Sequence, residues 1–201
     1  MKQKNLYGLV LCGGMSTRMG RDKALLQNSA GEHWAASAYR KLQPLADAVY
    51  LSVNEQQYTT YEPVLNLPMI RDNDTLSCKG PVKGLLSAHL AYPGKDFFIL
   101  ACDMPYMDYS LLHDLHHQYE CRQAEAYLYT LQANIEPLCG IYTAASLQKL
   151  KHYAGLKQYC SFGIKGLLPF IETQNIILNE NKAAFFINCN TPDVLIPDTK
   201  R

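Results

Sequence analysis

Four short apolar runs, at residues 6–12, 48–53, 64–70 and 97–102, are separated by longer segments with helical spacing. This alternation constrains the fold more than any other feature of the chain. Each run is six or seven residues long and is bounded by turn-forming or charged residues. Between them, 32–43, 81–92 and 110–119 place apolar residues at helical intervals. Pro81 suits the first turn of its helix, where a missing N–H costs nothing. Strands alternating with helices predict βαβ units, and hence an α/β fold whose mostly parallel central sheet carries helices on both faces. The second half is less regular. Residues 126–131 and 138–143 read as strands joined by a polar turn at 132–136. Residues 144–153 and 164–172 read as helices, and 185–189 as a late strand. No internal repeat, low-complexity stretch or linker interrupts the pattern, so 1–201 reads as a single domain.

Composition removes several classes of function. Nineteen basic against 18 acidic residues leave a formal charge of +1, which argues against nucleic acid or an anionic membrane surface as a partner held by bulk charge. The 48% of apolar residues suffices for a buried core. Seven scattered cysteines include no C-x-x-C pair, so neither a disulfide framework nor a zinc site is expected. The first six residues lack the apolar stretch of a signal peptide, and no run approaches the ~18 apolar residues of a membrane span. The expected location is a reducing cytoplasm.

In an open parallel sheet, ligands sit beyond the carboxyl ends of the strands. The segments to inspect are therefore 13–23, 52–54, 71–83, 103–106 and 188–193. The first reads Leu11-Cys12-Gly13-Gly14-Met15-Ser16-Thr17-Arg18-Met19-Gly20-Arg21-Asp22-Lys23-Ala24-Leu25-Leu26. Glycines after a strand permit a tight turn whose N–H groups can bind oxyanions. Arg18 adds a forked donor suited to phosphate and Lys23 a mobile point charge. Three glycines and three basic residues within 11 positions point to a polyphosphate. The segment is not a Walker A loop, because Gly14 and Gly20 are six apart and Ala24 follows Lys23. It is not a dinucleotide fingerprint either, since no glycine lies between Gly14 and Gly20.

Residues 11–26 closely resemble the nucleotide-binding signature of the molybdenum cofactor nucleotidyltransferases, L-A-G-G-x-S-x-R-M-G-x-D-K-x-L-L. The resemblance continues through Arg71-Asp72, Gly80-Pro81-Val82-Lys83-Gly84, Ala101-Cys102-Asp103-Met104-Pro105-Tyr106, Glu136-Pro137-Leu138 and Asn188-Cys189-Asn190-Thr191-Pro192-Asp193. Gly13-Gly14, Gly80-Pro81 and Cys102-Asp103 resemble the guanylyl branch rather than the cytidylyl branch, which tends toward L-A-A-G and G-D-Q-P. The resemblance implies a Rossmann-like nucleotidyltransferase fold. It also implies transfer of GMP from GTP to the terminal phosphate of molybdenum-bound molybdopterin, with release of pyrophosphate. Leu11, Cys12, Gly13, Gly14, Lys23, Asn54, Asp72, Gly84 and Asp103 would bind the nucleotide. Arg18, Lys23 and Asp103 would be catalytic, and Asp103 would hold Mg²⁺, with Mn²⁺ as the substitute ion. Asn188 and Asn190 would face the second substrate. A monomer is expected, with transient contact to cofactor-insertion or acceptor molybdoenzyme proteins.

Plainer roles stand beside these. Asp103 could cap the following helix, although Asp108 and Ser110 offer better caps. Asp72 could be a turn residue beside Asn73-Asp74, Asn54 a helix cap, and Asn190 or Thr191 the cap of a helix starting at Pro192. His113, His116 and His117 share one helical face and read as solvated rather than metal-binding. Three features depart from the family pattern: Cys12 for alanine, Lys83 for alanine, and Asn28-Ser29-Ala30-Gly31-Glu32-His33 where G-K-P is common. The alternatives are a same-fold enzyme using CTP or another small phosphate, and a nucleotide-binding module without chemistry.

Overall fold

A computed structural model describes residues 5–12, 22–156, 158–159 and 161–189. Among these, seven strands form one sheet: β1 (Leu6–Leu11), β2 (Ala48–Val53), β3 (Met69–Arg71), β4 (Asp96–Ala101), β5 (Ala126–Leu131), β6 (Asn134–Tyr142) and β7 (Thr173–Leu178). Six α-helices of the described residues accompany them: α1 (Trp34–Leu42), α2 (Glu55–Leu65), α3 (Pro81–Ala91), α4 (Tyr109–Cys121), α5 (Ala144–Gly155) and α6 (Ile164–Leu167). The sheet order is β3-β2-β1-β4-β6-β5-β7. Pairing is parallel except where β6 lies antiparallel between β4 and β5.

Strand alternation sorts the core into two layers. Leu6 and Val10 of β1, Leu51 and Val53 of β2 and Leu100 of β4 pack with α1, α2 and α4. Leu9 and Leu11 of β1 and Phe97 and Ile99 of β4 pack with α3, α5 and α6 on the other face. Both faces of the central strands are buried, which is why those strands read as continuous apolar runs. Among the described residues no helix is long and apolar enough to cross a membrane.

Several boundaries differ from the sequence expectation. The run at 64–70 is not one strand, because α2 extends to Leu65 and stops where Asn66 adopts φ +47°. Only Met69–Arg71 then pairs with β2. The turn at 132–136 shrinks to Gln132 and Ala133, both at positive φ, so β6 begins at Asn134 and runs through Pro137. The β5–β6 register shifts between Leu128 and Tyr129, opposite the stretch containing Pro137, a residue that cannot donate to the ladder. The helix expected over 164–172 ends at Leu167, with a 3₁₀ turn, Leu168–Phe170, carrying Pro169. The late strand lies at Thr173–Leu178 rather than 185–189. Phe185 and Phe186 instead close a 3₁₀ segment, and Phe186 packs edge-on against Tyr129 with ring centroids 5.6 Å apart.

Candidate active site

The chain moves outward from β1 to β2 and β3, then crosses to β4 on the other side of β1. The gap between the carboxyl ends of β1 and β4 is therefore the topological switch point, where open α/β sheets bind ligands. Backbone bonds draw the strand ends together. The Cys12 N–H donates to Ser52 O (3.2 Å), the Cys102 N–H to Leu11 O (3.1 Å) and the Asp72 N–H to Val53 O (2.8 Å).

Lys23 and Asp103 meet across this gap. Lys23 begins a short 3₁₀ turn, Lys23–Leu25, capped by Asp22, whose Oδ1 accepts from the Ala24 N–H at 3.2 Å. Asp103 follows β4 directly. The Lys23 Nζ donates to Asp103 Oδ2 at 2.9 Å, and the two side chains are only 17% and 21% exposed. Capping is not the role of Asp103, because Asp108 caps α4 through the Ser110 N–H at 2.7 Å. Among the described residues Asp103 Oδ1 has no hydrogen bond, so one carboxylate oxygen remains for another cation.

Residues 188–189 return to the same place: the Cys189 N–H donates to the Asp103 carbonyl at 3.0 Å. Burial and the Asp103 charge push the Cys189 thiol above its ordinary range, while Lys23 opposes them. Next to it, Asn188 Oδ1 is a buried acceptor with no hydrogen-bond partner. Such an atom costs about 1–3 kcal/mol unless a ligand or water satisfies it. At the end of β3, burial raises the Asp72 carboxyl above its usual range, with Lys83 opposing and Asp74 reinforcing the rise. A half-buried carboxylate at a strand end is the kind of perturbed group that clusters at functional sites.

Other expected positions have partners within the protein. Asn54 caps α2, its Oδ1 accepting from the Gln57 N–H at 2.8 Å. Gly84 sits against Ser52 and Leu11, and a methyl group there would overlap the Ser52 hydroxyl, so packing alone requires glycine. The Cys12 side chain turns into the core and is 4% exposed, which explains how cysteine is tolerated in place of alanine. Both backbone polar groups of Cys12 are engaged, the N–H by Ser52 and the carbonyl by Gln57. Leu11 is buried beneath, among α3 residues. Lys83 lies 3.1 Å from the exposed Asp74, a pairing worth little. The altered segment 28–33 closes on itself, with Asn28 Oδ1 accepting from the Ala30 and Glu32 N–H groups, each at 3.0 Å. Gly13, Gly14, Arg18 and Asn190 lie outside the described residues.

Gln57 is the residue sequence reasoning missed. It is 7% exposed, and its Nε2 donates to Cys12 O (3.1 Å) and Asp22 Oδ2 (3.3 Å). The signal was present: Asn54 followed three residues later by Gln57 is a capping-box spacing.

Two other features do not compete for a polyphosphate. A cavity of about 790 Å³ opens at the opposite, amino-terminal end of the sheet, lined by Asp47, Asp96, His116, Tyr119, Glu120 and Glu125. Its four carboxylates would repel phosphates. On α4, His113 and His117 are exposed, and His116 lies 3.7 Å from Glu120. Among the described residues no group of three or more His, Cys, Asp or Glu is placed to hold a metal by itself.

Comparison with known proteins agrees with this fold. Over 163 residues the chain is 36% identical to a molybdenum cofactor biosynthesis bifunctional protein of Synechocystis, covering 80% of this chain and 45% of that protein. The chain thus spans less than half the length of that relative. It is 28% identical to a probable molybdenum cofactor guanylyltransferase of Carboxydothermus hydrogenoformans, over 94% of this chain and 92% of the relative. In structure it is similar to molybdopterin-guanine dinucleotide biosynthesis protein A of Archaeoglobus fulgidus, with a TM-score of 0.75 at 20% identity over 93% of each chain. The model of the MobA-like NTP transferase domain matches residues 8–167, which contain the glycine segment, Asp72, Gly84 and the Lys23–Asp103 pair. The chain belongs to the MobA-like NTP transferase family, and it is a nucleotidyltransferase.

Proposed function

We propose that the chain transfers GMP from GTP to the terminal phosphate of molybdenum-bound molybdopterin, releasing pyrophosphate. The observation that carries this reading is the Lys23–Asp103 pair at the switch point, 2.9 Å apart and largely shielded from water. The attacking phosphate oxygen is ionised near neutral pH, so the protein needs no side-chain nucleophile and no strong base. Its task is to position two anions in line and to neutralise charge as they approach. Lys23 supplies a cation for the phosphates, and Arg18 and the N–H groups at Gly13 and Gly14 supply further donors. Asn188 Oδ1, unpaired and close in sequence to the Asp103 contact, offers an acceptor to the pterin substrate.

Asp103 fits the requirements of Mg²⁺. It is a hard oxygen donor, and among the described residues its Oδ1 has no hydrogen bond and no second protein ligand cluster surrounds it. Mg²⁺ characteristically takes one or two carboxylates and completes its shell with water and substrate phosphates. Bound there, it would supply positive charge to the nucleotide phosphates; Mn²⁺ is the natural substitute.

The preference for GTP rests on Gly13-Gly14, Gly80-Pro81 and Cys102-Asp103, and on the names of the relatives. We propose further that the enzyme acts as a cytoplasmic monomer and passes its product to cofactor-insertion or acceptor molybdoenzyme proteins. The test is to incubate purified protein, Mg²⁺ and molybdenum-loaded molybdopterin with GTP labelled at the α-phosphate. Label in the dinucleotide product, with equimolar pyrophosphate, is expected. Nucleotide binding without either product would leave only a binding module.

A further inference from the structure

Helix α2 is unusual among the helices of this sheet. Its buried side chains are Gln57 and Tyr61, one turn apart and both polar-tipped. Gln57 bonds to Asp22, whereas the buried Tyr61 hydroxyl makes no hydrogen bond among the described residues. The Gln57 Nε2 donates to Asp22 Oδ2 at 3.3 Å, and burial, reinforced by the Asp22 carboxylate, raises the Tyr61 hydroxyl far above its ordinary range. The Gln57 carboxamide is used on both sides. Its Oε1 accepts from the Asn54 N–H at 3.0 Å, and its Nε2 also donates to Cys12 O at 3.1 Å. Cys12 immediately precedes segment 13–21 and Asp22 immediately follows it. One buried amide thus ties together the entry of the glycine segment, its exit and the carboxyl end of β2.

We infer that Gln57 is a positioning residue for nucleotide binding: it holds Cys12 and Asp22 in register with the carboxyl end of β2 and, through Asp22, sets the position of Lys23 beside Asp103. This rests on the reading that Lys23 meets the nucleotide phosphates. The network also assigns Asp22 its part. Its Oδ1 caps the Lys23–Leu25 turn and its Oδ2 is held by Gln57. Asp22 is therefore an anchor that orients Lys23 from the adjacent position.

The test compares Gln57→Met, Gln57→Glu and the Asp22→Asn/Gln57→Glu double variant, with Leu115→Ala, a buried residue of α4, as a stability control. Calorimetric titration with Mg²⁺ and GTP should show affinity roughly 10–100-fold weaker in Gln57→Met, the size expected from losing two buried donor contacts. KM for GTP should rise more than kcat falls. Gln57→Glu sets two carboxylates against each other. The double variant restores a donor to the pair, with the new amide at position 22 donating to the new carboxylate at position 57, and should regain part of the lost affinity. Leu115→Ala should lower Tm without weakening GTP binding. Hydrogen exchange over residues 12–22, measured without nucleotide, should be faster in Gln57→Met than in the wild type. Unchanged exchange, or affinity lost only in step with Tm as in the control, would overturn the inference. Faster exchange in Gln57→Met, alongside a wild-type protein that binds no GTP, would support the tie and refute the proposed function instead.

Discussion

Replacing Lys23 by alanine should change two measurable quantities in opposite directions. The ammonium lies 2.9 Å from Asp103 Oδ2, with both side chains about four-fifths buried. At that separation and an effective dielectric of about 20, the gross attraction is about 6 kcal/mol. Desolvation of both ions offsets most of it, leaving a net contribution of about 1–2 kcal/mol. In the nucleotide-free enzyme a divalent ion bound at Asp103, as proposed, would compete with Lys23 for the same carboxylate. Removing it should tighten Mn²⁺ binding roughly tenfold, a change that follows from about 1.4 kcal/mol. On the proposed reading Lys23 neutralises the phosphates in the complete reaction, so turnover should fall roughly 10²–10³-fold, as when one donor is removed from an oxyanion site. Electron paramagnetic resonance titration of Mn²⁺ against apo protein reads the first quantity, and pyrophosphate release reads the second. A Lys23→Ala protein with unchanged Mn²⁺ affinity and wild-type turnover would refute the reasoning.

Two further predictions concern the walls of the same site. Gly84→Ala drives a methyl into the Ser52 hydroxyl and should cost about 1–3 kcal/mol, visible as a lowered Tm. Adding Ser52→Ala removes the overlapping oxygen and should recover part of the loss; equal Tm in Gly84→Ala and the wild type would contradict the close approach of α3 to β2. Asp72 has its folded-state carboxyl raised above the unfolded value, by burial first. Its neutral form is therefore the one the fold favours. The stability it contributes is full below the ordinary value of 3.8 and is lost as pH rises through the raised folded value. Asp72→Asn should accordingly raise Tm at neutral pH and converge with the wild type in acid, as measured by calorimetry across pH. Parallel curves at all pH values would remove the burial argument.

The helices α3 and α5 could be read from their apolar spacing, and the strands read most closely are the deeply buried ones. β1, β2 and β4 are covered on both faces, so their apolar runs mark them to within a residue. The elements that escaped have mixed exposure. α2 buries only Gln57 and Tyr61 and so lacks an apolar stripe. β7 sits at the sheet edge with Ile177 83% exposed, which hid it beside the more apolar run ending in Phe185-Phe186-Ile187. The hairpin turn uses Gln132 and Ala133 at positive φ, residues that carry none of the usual glycine or asparagine signal. Within the site, Lys23 and Asp103, 80 residues apart in sequence, do meet. Asn54 does cap α2, because its backbone position places the side chain under the first turn of that helix. For Gln57 only the capping-box half was legible, from its spacing to Asn54; its contacts with Cys12 and Asp22 are tertiary and leave no pattern in the sequence.

The central claim is that this switch-point site moves GMP onto a pterin phosphate. The most direct measurement is dinucleotide formation from molybdenum-loaded molybdopterin, with GTP and CTP supplied in parallel to the same enzyme preparation. Rapid product and stoichiometric pyrophosphate are expected with GTP, and much slower product formation with CTP. Faster product from CTP, or no product from either nucleotide under conditions where both bind, would contradict it.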